Sequence, residues 1–286
     1  MDEQPLRIDL QEIVRQRVPR SKRRWLPRWA VRCLERLIHQ DELNAILEHT
    51  FPSTGSEFAR RVLEYLDINV DIKGIENIPG NGRFIFASNH PLGGLDGITL
   101  ISVLGTRYGD SLLRLPVNDM LMNVRPLRGV FIPINKFGRQ ARGAARLINE
   151  TYASEAQMVF FPAGLVSRLH KGGAIADLEW QKAFVAKAIE YKRDIIPVHF
   201  SGYNTKRFYQ IARWRKRLGL KFNIEQILLP SELCKAHGSR YTVTFGTPVR
   251  WQTLAQSGET PIKIAAEMRK ACYAIAPQQT DRKRVI

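Results

Sequence analysis

By type and spacing, His90 and Asp96 are the residues best suited to do chemistry in this chain. They stand in Asn89-His90-Pro91-Leu92-Gly93-Gly94-Leu95-Asp96-Gly97, directly after the apolar run Phe84-Ile85-Phe86-Ala87. A carboxylate held against one imidazole nitrogen fixes the ring tautomer and raises the basicity of the ring near neutral pH. Across a glycine turn the two side chains can meet, which makes His90 a candidate general base and Asp96 the group that orients it. The apolar run before them reads as a buried strand, with the pair at its mouth.

Three further segments end in the same manner: Phe131-Ile132-Pro133-Ile134-Asn135-Lys136, Phe160-Phe161-Pro162-Ala163-Gly164-Leu165-Val166-Ser167-Arg168, and Ile196-Pro197-Val198-His199-Phe200-Ser201-Gly202. Four apolar runs closing on Pro, Gly and polar groups are expected to share one cleft. They need a scaffold, and the chain offers one. Runs rich in Val, Ile and Phe cover Asn69 to Ile75, Arg83 to Ala87, Leu113 to Val117, Gly129 to Ile134, Gln157 to Phe161, Ile195 to Phe200 and Tyr241 to Phe245. Helical periodicity covers Gly138 to Thr151, Asp177 to Lys192 and Lys206 to Leu218. Thr260-Pro261 caps a last helix whose face is Ala265, Met268, Cys272 and Ile275. This alternation predicts an α/β fold with a mixed, largely parallel central sheet flanked by helices, in which sites lie at strand ends.

Residues 1–69 read differently, as an N-terminal helical segment before an α/β domain over residues 70–286. Between Arg15 and Arg36 there are nine basic residues and one acid, Glu35. Leu26, Trp29, Ala30, Cys33, Leu34, Leu37 and Ile38 recur at helical spacing, with Arg28, Arg32 and Arg36 on the other face. Trp25 and Trp29 at headgroup level, with Arg23, Arg24, Arg28 and Arg32 on lipid phosphates, would make this a peripheral membrane contact. The plainer reading is a helix packed on the core with a solvated basic face. Further helices are expected from Asp41 to His49 and after the capping-box pattern Thr54-Gly55-Ser56-Glu57.

Composition sets the outer limits. In 286 residues, 44 Lys and Arg against 27 Asp and Glu give a net charge of +17, which favours anionic partners: nucleic acid, anionic membrane or acidic proteins. Cys33, Cys234 and Cys272 are scattered, so neither a disulfide framework nor a zinc motif is expected. No run approaches the length of about 18 apolar residues that a spanning helix needs, and the first residues lack signal-peptide character. A cytoplasmic protein, peripheral on the inner face of the membrane, is the expectation. Gly138 and Gly143 stand at the P-loop interval, but Ala144-Ala145 replaces Lys-Ser/Thr, and no Gly-x-Ser-x-Gly is present. His199, in an apolar run, reads as a hydrogen-bonded core histidine.

Taken in order, the four segments resemble the four motifs of the glycerophospholipid acyltransferase family over about Val70 to Pro248. The resemblance is closest to the hemolysin-like bacterial branch, related to aminolipid O-acyltransferases. It implies that His90 is the catalytic base and Asp96 its orienting acid, in transfer of a fatty acyl group from acyl-ACP or acyl-CoA to a hydroxyl of a lipid precursor. The co-substrate is that thioester; no cofactor and no metal are implied. The turn amides of Gly93 and Gly94, or those around Gly164, would receive the oxyanion. Lys136 and Arg139 after the second motif, and Arg168 and Lys171 after the third, would hold an anionic acceptor; solvated surface charge is the alternative for each.

Two departures matter. Five residues rather than four separate His90 from Asp96, so the turn must bulge, and Ala163 stands where the family carries Glu. The second change disfavours a glycerol-phosphate acceptor and favours an acylated amino acid. Two other readings stay open: an inactive member of the fold that binds lipid or acyl carrier protein, and, with less support, a nucleic-acid-binding protein. The stretch Lys206 to Lys221, with Trp214 among basic residues, is the best support for the latter, but its place beside the fourth motif points instead to a rim for acyl carrier protein or membrane, so no nucleic acid is expected.

Overall fold

A computed structural model describes residues 4–19, 27–134, 139–220 and 223–277, without the side chains of residues 17, 139–142 and 144. The helices before the sheet are α1 (Leu10–Arg17), α2 (Arg28–Leu37), α3 (Gln40–Thr50) and α4 (Gly55–Tyr65). The main chain then alternates through β1 (Asn69–Lys73), β2 (Phe84–Ser88), α5 (Gly94–Tyr108), β3 (Leu113–Asn118), β4 (Phe131–Ile134), α6 (Arg139–Ala153) and β5 (Gln157–Phe160). A short hairpin, β6 (Arg168–Leu169) and β7 (Ile175–Ala176), precedes α7 (Ala183–Glu190), β8 (Asp194–Phe200), α8 (Lys206–Arg217), α9 (Leu229–Lys235), β9 (Arg240–Phe245), α10 (Trp251–Gln256) and α11 (Pro261–Ala274).

The seven apolar runs form one sheet in the order β1-β9-β8-β2-β5-β3-β4. Every pairing is parallel except β8 with β9. The chain is therefore α/β with a mixed, largely parallel sheet. Its middle strand, β2, is buried along its whole length, as a strand covered on both faces must be. Phe84 and Phe86 face a core that also holds Ile46, Leu47, Phe58 and Val62, so α3 and α4 share the main core with the sheet. Ile85 and Ala87 face a second core built with Phe184, Ala265, Met268 and Cys272.

Two local expectations differ from the structure, and one helix was not read from the sequence. The helix expected from Asp177 begins only at Ala183, because Asp177 is used in extended chain to tie loops together. Helix α5 carries no amphipathic signature, since it is buried along most of its length against α4 and the sheet and is apolar nearly all round. Gly105 permits the close α4–α5 crossing; a Cβ there would lie 2.6 Å from Ser56. Finally, Thr54 holds the N-cap position of α4 without a side-chain cap, and Asp110 caps the helix from across the fold through Ser56 N–H at 3.0 Å. Glu57 pairs instead with Arg60 and Arg61.

Candidate active site

β2 ends at Ser88, and Asn89 locks the next turn onto the neighbouring strand. Its amide donates to Phe200 O at 2.9 Å and accepts from Phe200 N–H at 2.6 Å, which extends the β2–β8 ladder one step beyond the strand. His90 then projects at the sheet's C-terminal edge. Its Nδ1 lies 3.0 Å from Asp96 Oδ2, with 18% of the His90 side chain exposed and Asp96 fully buried in the first turn of α5. The same Oδ2 accepts the N–H groups of Leu92 and Gly93, at 3.1 and 3.2 Å. The extra residue of the turn is absorbed at Gly93, whose φ of 85° and ψ of −97° place it where side chains are disfavoured. A Cβ there would also lie 2.9 Å from Leu229.

A second buried carboxylate stands on the other side of the histidine, and sequence reasoning missed it. Asp177 Oδ1 accepts the main-chain N–H of His90 at 3.1 Å and the hydroxyl of Ser167 at 2.6 Å, while Oδ2 accepts Trp180 Nε1–H at 2.9 Å. Its own N–H donates to Tyr273 Oη at 2.8 Å, and Ser167 N–H donates to His90 O at 2.8 Å. Asp177 therefore ties the histidine turn, the loop after β5 and α11 into one unit. A lone Asp between Ala176 and Leu178 carries no spacing signal that would have tied it to His90.

Burial alone would push the His90 imidazole down, but the charge and hydrogen bond of Asp96, with Asp177 behind, hold it above its ordinary value; the Arg168 charge opposes this. Burial raises the Asp177 carboxyl despite its hydrogen bonds. The ring stacks on Phe161 with centroids 4.0 Å apart, which sets its plane. Nδ1 is thus committed to Asp96, and Nε2 is the nitrogen left for a substrate proton. His199 is buried edge-on to Tyr273, and burial lowers its pKa to about 4. The hydrogen bond expected of it is missing at Nδ1 among the described residues.

The cation expectations divide. Arg168 is nearly buried, with Nη2 on Glu225 Oε1 at 2.8 Å, and Arg215 of α8 meets the other oxygen of that fully buried carboxylate at 2.9 Å. Nη1 of Arg168 is buried without a hydrogen-bond partner among the described residues. Lys171 is exposed in the β6–β7 hairpin, away from any described ion pair. Lys136 lies outside the described residues, and of Arg139 only the backbone, at the start of α6, is described. The expected common cleft is only partly assembled: β8, β2 and β5 are neighbours, whereas β4 is the sheet edge, three strands and roughly 14 Å from β2.

The glycine expectations divide too. The Gly93 N–H is spent on Asp96, and the Gly164 N–H donates to Phe161 O at 3.0 Å, so neither faces a substrate. Gly94 opens α5, and at that first helical position its N–H has no intrahelical acceptor. Ala163, in place of the family Glu, is buried in the second core.

Of the expected membrane contacts, Arg23, Arg24 and Trp25 lie outside the described residues. On α2 the exposed arc holds Arg28, Trp29, Arg32, Cys33 and Arg36 together, so Trp29 and Cys33 sit with the arginines and not with the core-facing Val31. No helix among the described residues is long and apolar enough to cross a membrane.

Away from His90, the described residues hold one group with metal-type donors: His39, Glu42 and Cys234 bring their ligand atoms within 4.8 Å of one another, with Glu42 exposed. Among the described residues no such group surrounds His90, whose neighbours Asp96 and Asp177 accept N–H and O–H donors.

The chain is similar to known proteins along most of its length. A family model described as acyltransferase matches residues 13–278. Lyso-glycine lipid O-acyltransferases of Bacteroides thetaiotaomicron and Phocaeicola vulgatus are each 42% identical over 268 residues, covering 94% of this chain and 97% and 95% of theirs. The crystal structure of the 1-acyl-sn-glycerophosphate (LPA) acyltransferase PlsC from Thermotoga maritima aligns over 87% of this chain and 97% of its own, at 16% identity and a TM-score of 0.46.

Proposed function

The chain belongs to the acyltransferase family and is a lipid acyltransferase; from that premise we propose that it completes a lyso-glycine lipid, moving a fatty acyl group from acyl-ACP or acyl-CoA to the acceptor's hydroxyl with His90 as general base. The observation that carries the mechanism is the 3.0 Å contact of His90 Nδ1 with buried Asp96. It holds the ring with Nε2 as the basic nitrogen, and it stabilises the imidazolium once formed.

In this reading the acceptor hydroxyl gives its proton to His90 Nε2 as its oxygen attacks the thioester carbonyl. The tetrahedral oxyanion is met by the N–H groups at the start of α5, beginning with Gly94, which have no intrahelical acceptor. Collapse breaks the carbon–sulfur bond, and the imidazolium returns the proton to the departing thiolate. The chain's own residues move every proton, so no metal or cofactor is needed. The acceptor reading rests on the two relatives and on Ala163, which removes the carboxylate that glycerol-phosphate enzymes of the family carry. The basic arc of α2, with Trp29, would hold the enzyme peripherally on the cytoplasmic face of an anionic membrane.

The test is a purified assay offering lyso-glycine lipid, glycerol-3-phosphate and lysophosphatidate in turn, with acyl-ACP and acyl-CoA as donors. Formation of the O-acylated glycine lipid by the native protein, and not by His90→Ala, is expected. Efficient acylation of glycerol-3-phosphate with no use of the glycine lipid would overturn the acceptor assignment.

A further inference from the structure

Helix α8 carries twelve residues, Lys206-Arg-Phe-Tyr-Gln-Ile-Ala-Arg-Trp-Arg-Lys-Arg217, with no acid among them. Phe208, Tyr209 and Ala212 turn inward and are buried. At 100° per residue the opposite arc gathers Arg207, Gln210, Arg213, Trp214, Arg217 and, one turn on from the indole, Leu218. All six are exposed. Trp214 is 62% and Leu218 68% exposed, and Leu220 follows in the same open state. A helix that needs only solvent on its outer arc has no use for an indole and a leucine there, because each leaves apolar surface in water.

The same design occurs on α2, where Trp29, 69% exposed, and Cys33 stand beside Arg28, Arg32 and Arg36. The two helices are joined. Leu37 of α2 packs into the small core made by Phe208 and Tyr209 of α8 with Val166 and Leu228. Val166 belongs to the loop after β5, and that loop's Ser167 N–H is bonded to His90 O. On its inner side, α8 sends Arg215 to Glu225, which also holds Arg168. The outer arc of α8 is thus two side-chain contacts from the loop that positions His90.

We propose that α8 is a second membrane-docking element, which lays Trp214 and Leu218 into the headgroup layer of an anionic bilayer, with Arg207, Arg213 and Arg217 on lipid phosphates, and so seats the His90 site at the lipid surface. The pairing of an exposed indole and leucine with cations favours a lipid interface, into which apolar side chains can sink, over an acidic protein partner, which the cations alone would serve. This rests on the reading that the acceptor is a lipid, and it adds a surface to the contact already assigned to α2.

The experiment uses the full chain in co-sedimentation with vesicles of phosphatidylglycerol and phosphatidylcholine, or of phosphatidylcholine alone. Three variants are compared with the native protein: Trp214→Ser/Leu218→Ser, Arg213→Gln/Arg217→Gln, and Trp29→Ser on α2. A short-chain acyl thioester with a water-soluble acceptor reports turnover apart from docking. The cation pair is expected to weaken binding to anionic vesicles at least 10-fold, at about fivefold per cation near the surface, with the effect shrinking in salt. The apolar pair is expected to lose binding at low salt as well. Turnover of soluble substrates should be unchanged, which separates failure of docking from failure of the acyltransferase reading. Vesicle binding equal to the native level in both α8 variants, or lost only in Trp29→Ser, would overturn the proposal. So would a selective rise in KM for acyl-ACP with vesicle binding intact, which would make this arc a carrier-protein dock.

Discussion

Asp177 Oδ1 holds the main-chain N–H of His90 at 3.1 Å while Asp96 Oδ2 holds the ring of the same residue at 3.0 Å, so one histidine is fixed through backbone and side chain by two buried carboxylates. Their charges act together on the imidazole and outweigh its burial. The pair defines both where the base stands and at what pH it works.

Replacing the base removes the proton acceptor but little of the packing, since the ring is partly exposed and stacked on one face only. His90→Ala is expected to lower kcat by about 10²–10⁴-fold. Its thermal transition should stay near native. Full activity in the folded variant would sink the mechanism.

Asp96→Asn should do more than slow the chemistry. Its carboxylate takes N–H groups from Leu92, Gly93 and Gly97 besides the ring, and an amide would turn a donor toward some of them. A stability loss of about 1–3 kcal/mol is expected, with a loss of turnover beside it. Chemical denaturation and kcat, measured on the same preparation, check both.

The pH profile follows from the sign of the His90 shift. A general base works only when neutral, and the folded pKa is raised, so kcat/KM should fall on acidification through a value above the ordinary imidazole figure of about 6.5. Asp177→Asn removes one of the charges that favour the imidazolium. The acid limb should therefore move to lower pH, while Asp96 still orients the ring. An unmoved limb in a folded Asp177→Asn protein would show that Asp177 acts only as a structural tie.

Adjacent glycines should differ sharply. Gly93→Ala meets both a disfavoured φ and Leu229 at 2.9 Å, whereas a Cβ on Gly94 meets nothing within 4 Å. Gly93→Ala is expected to cost about 1–3 kcal/mol and most of the activity. Gly94→Ala should fold normally. Melting temperatures and turnover of the two variants give the comparison.

Arg193 offers a test of the scaffold away from the site. Fully buried, it donates to Tyr152 O at 2.7 Å, Ala156 O at 2.6 Å and Thr151 O at 3.2 Å, and also to Ser154 O, closing the C-terminal end of α6. Burial lowers its pKa to about 10. Arg193→Met leaves several carbonyls without donors and should cost at least about 3 kcal/mol in urea denaturation.

What could be read from the chain alone is what short-range pattern encodes. All seven strands of the sheet were legible because each is a brief apolar run bounded by turn residues. The His90–Asp96 pair was legible because one turn separates its members, and the order of four such segments pointed to the family. Tertiary structure decided the rest. The tie from Asp177 to His90 spans 87 residues, that from Arg168 to Glu225 spans 57, and the clasp of Asn89 on Phe200 spans 111. Such contacts exist only because the sheet order places β2 between β8 and β5, and that order leaves no periodic trace in the sequence. For the same reason β4 read as part of one cleft and proved to be the sheet edge, and Arg168 read as an open anion site and proved to be held by Glu225. Local spacing states which groups can act; the packing of distant segments decides which neighbours they act with.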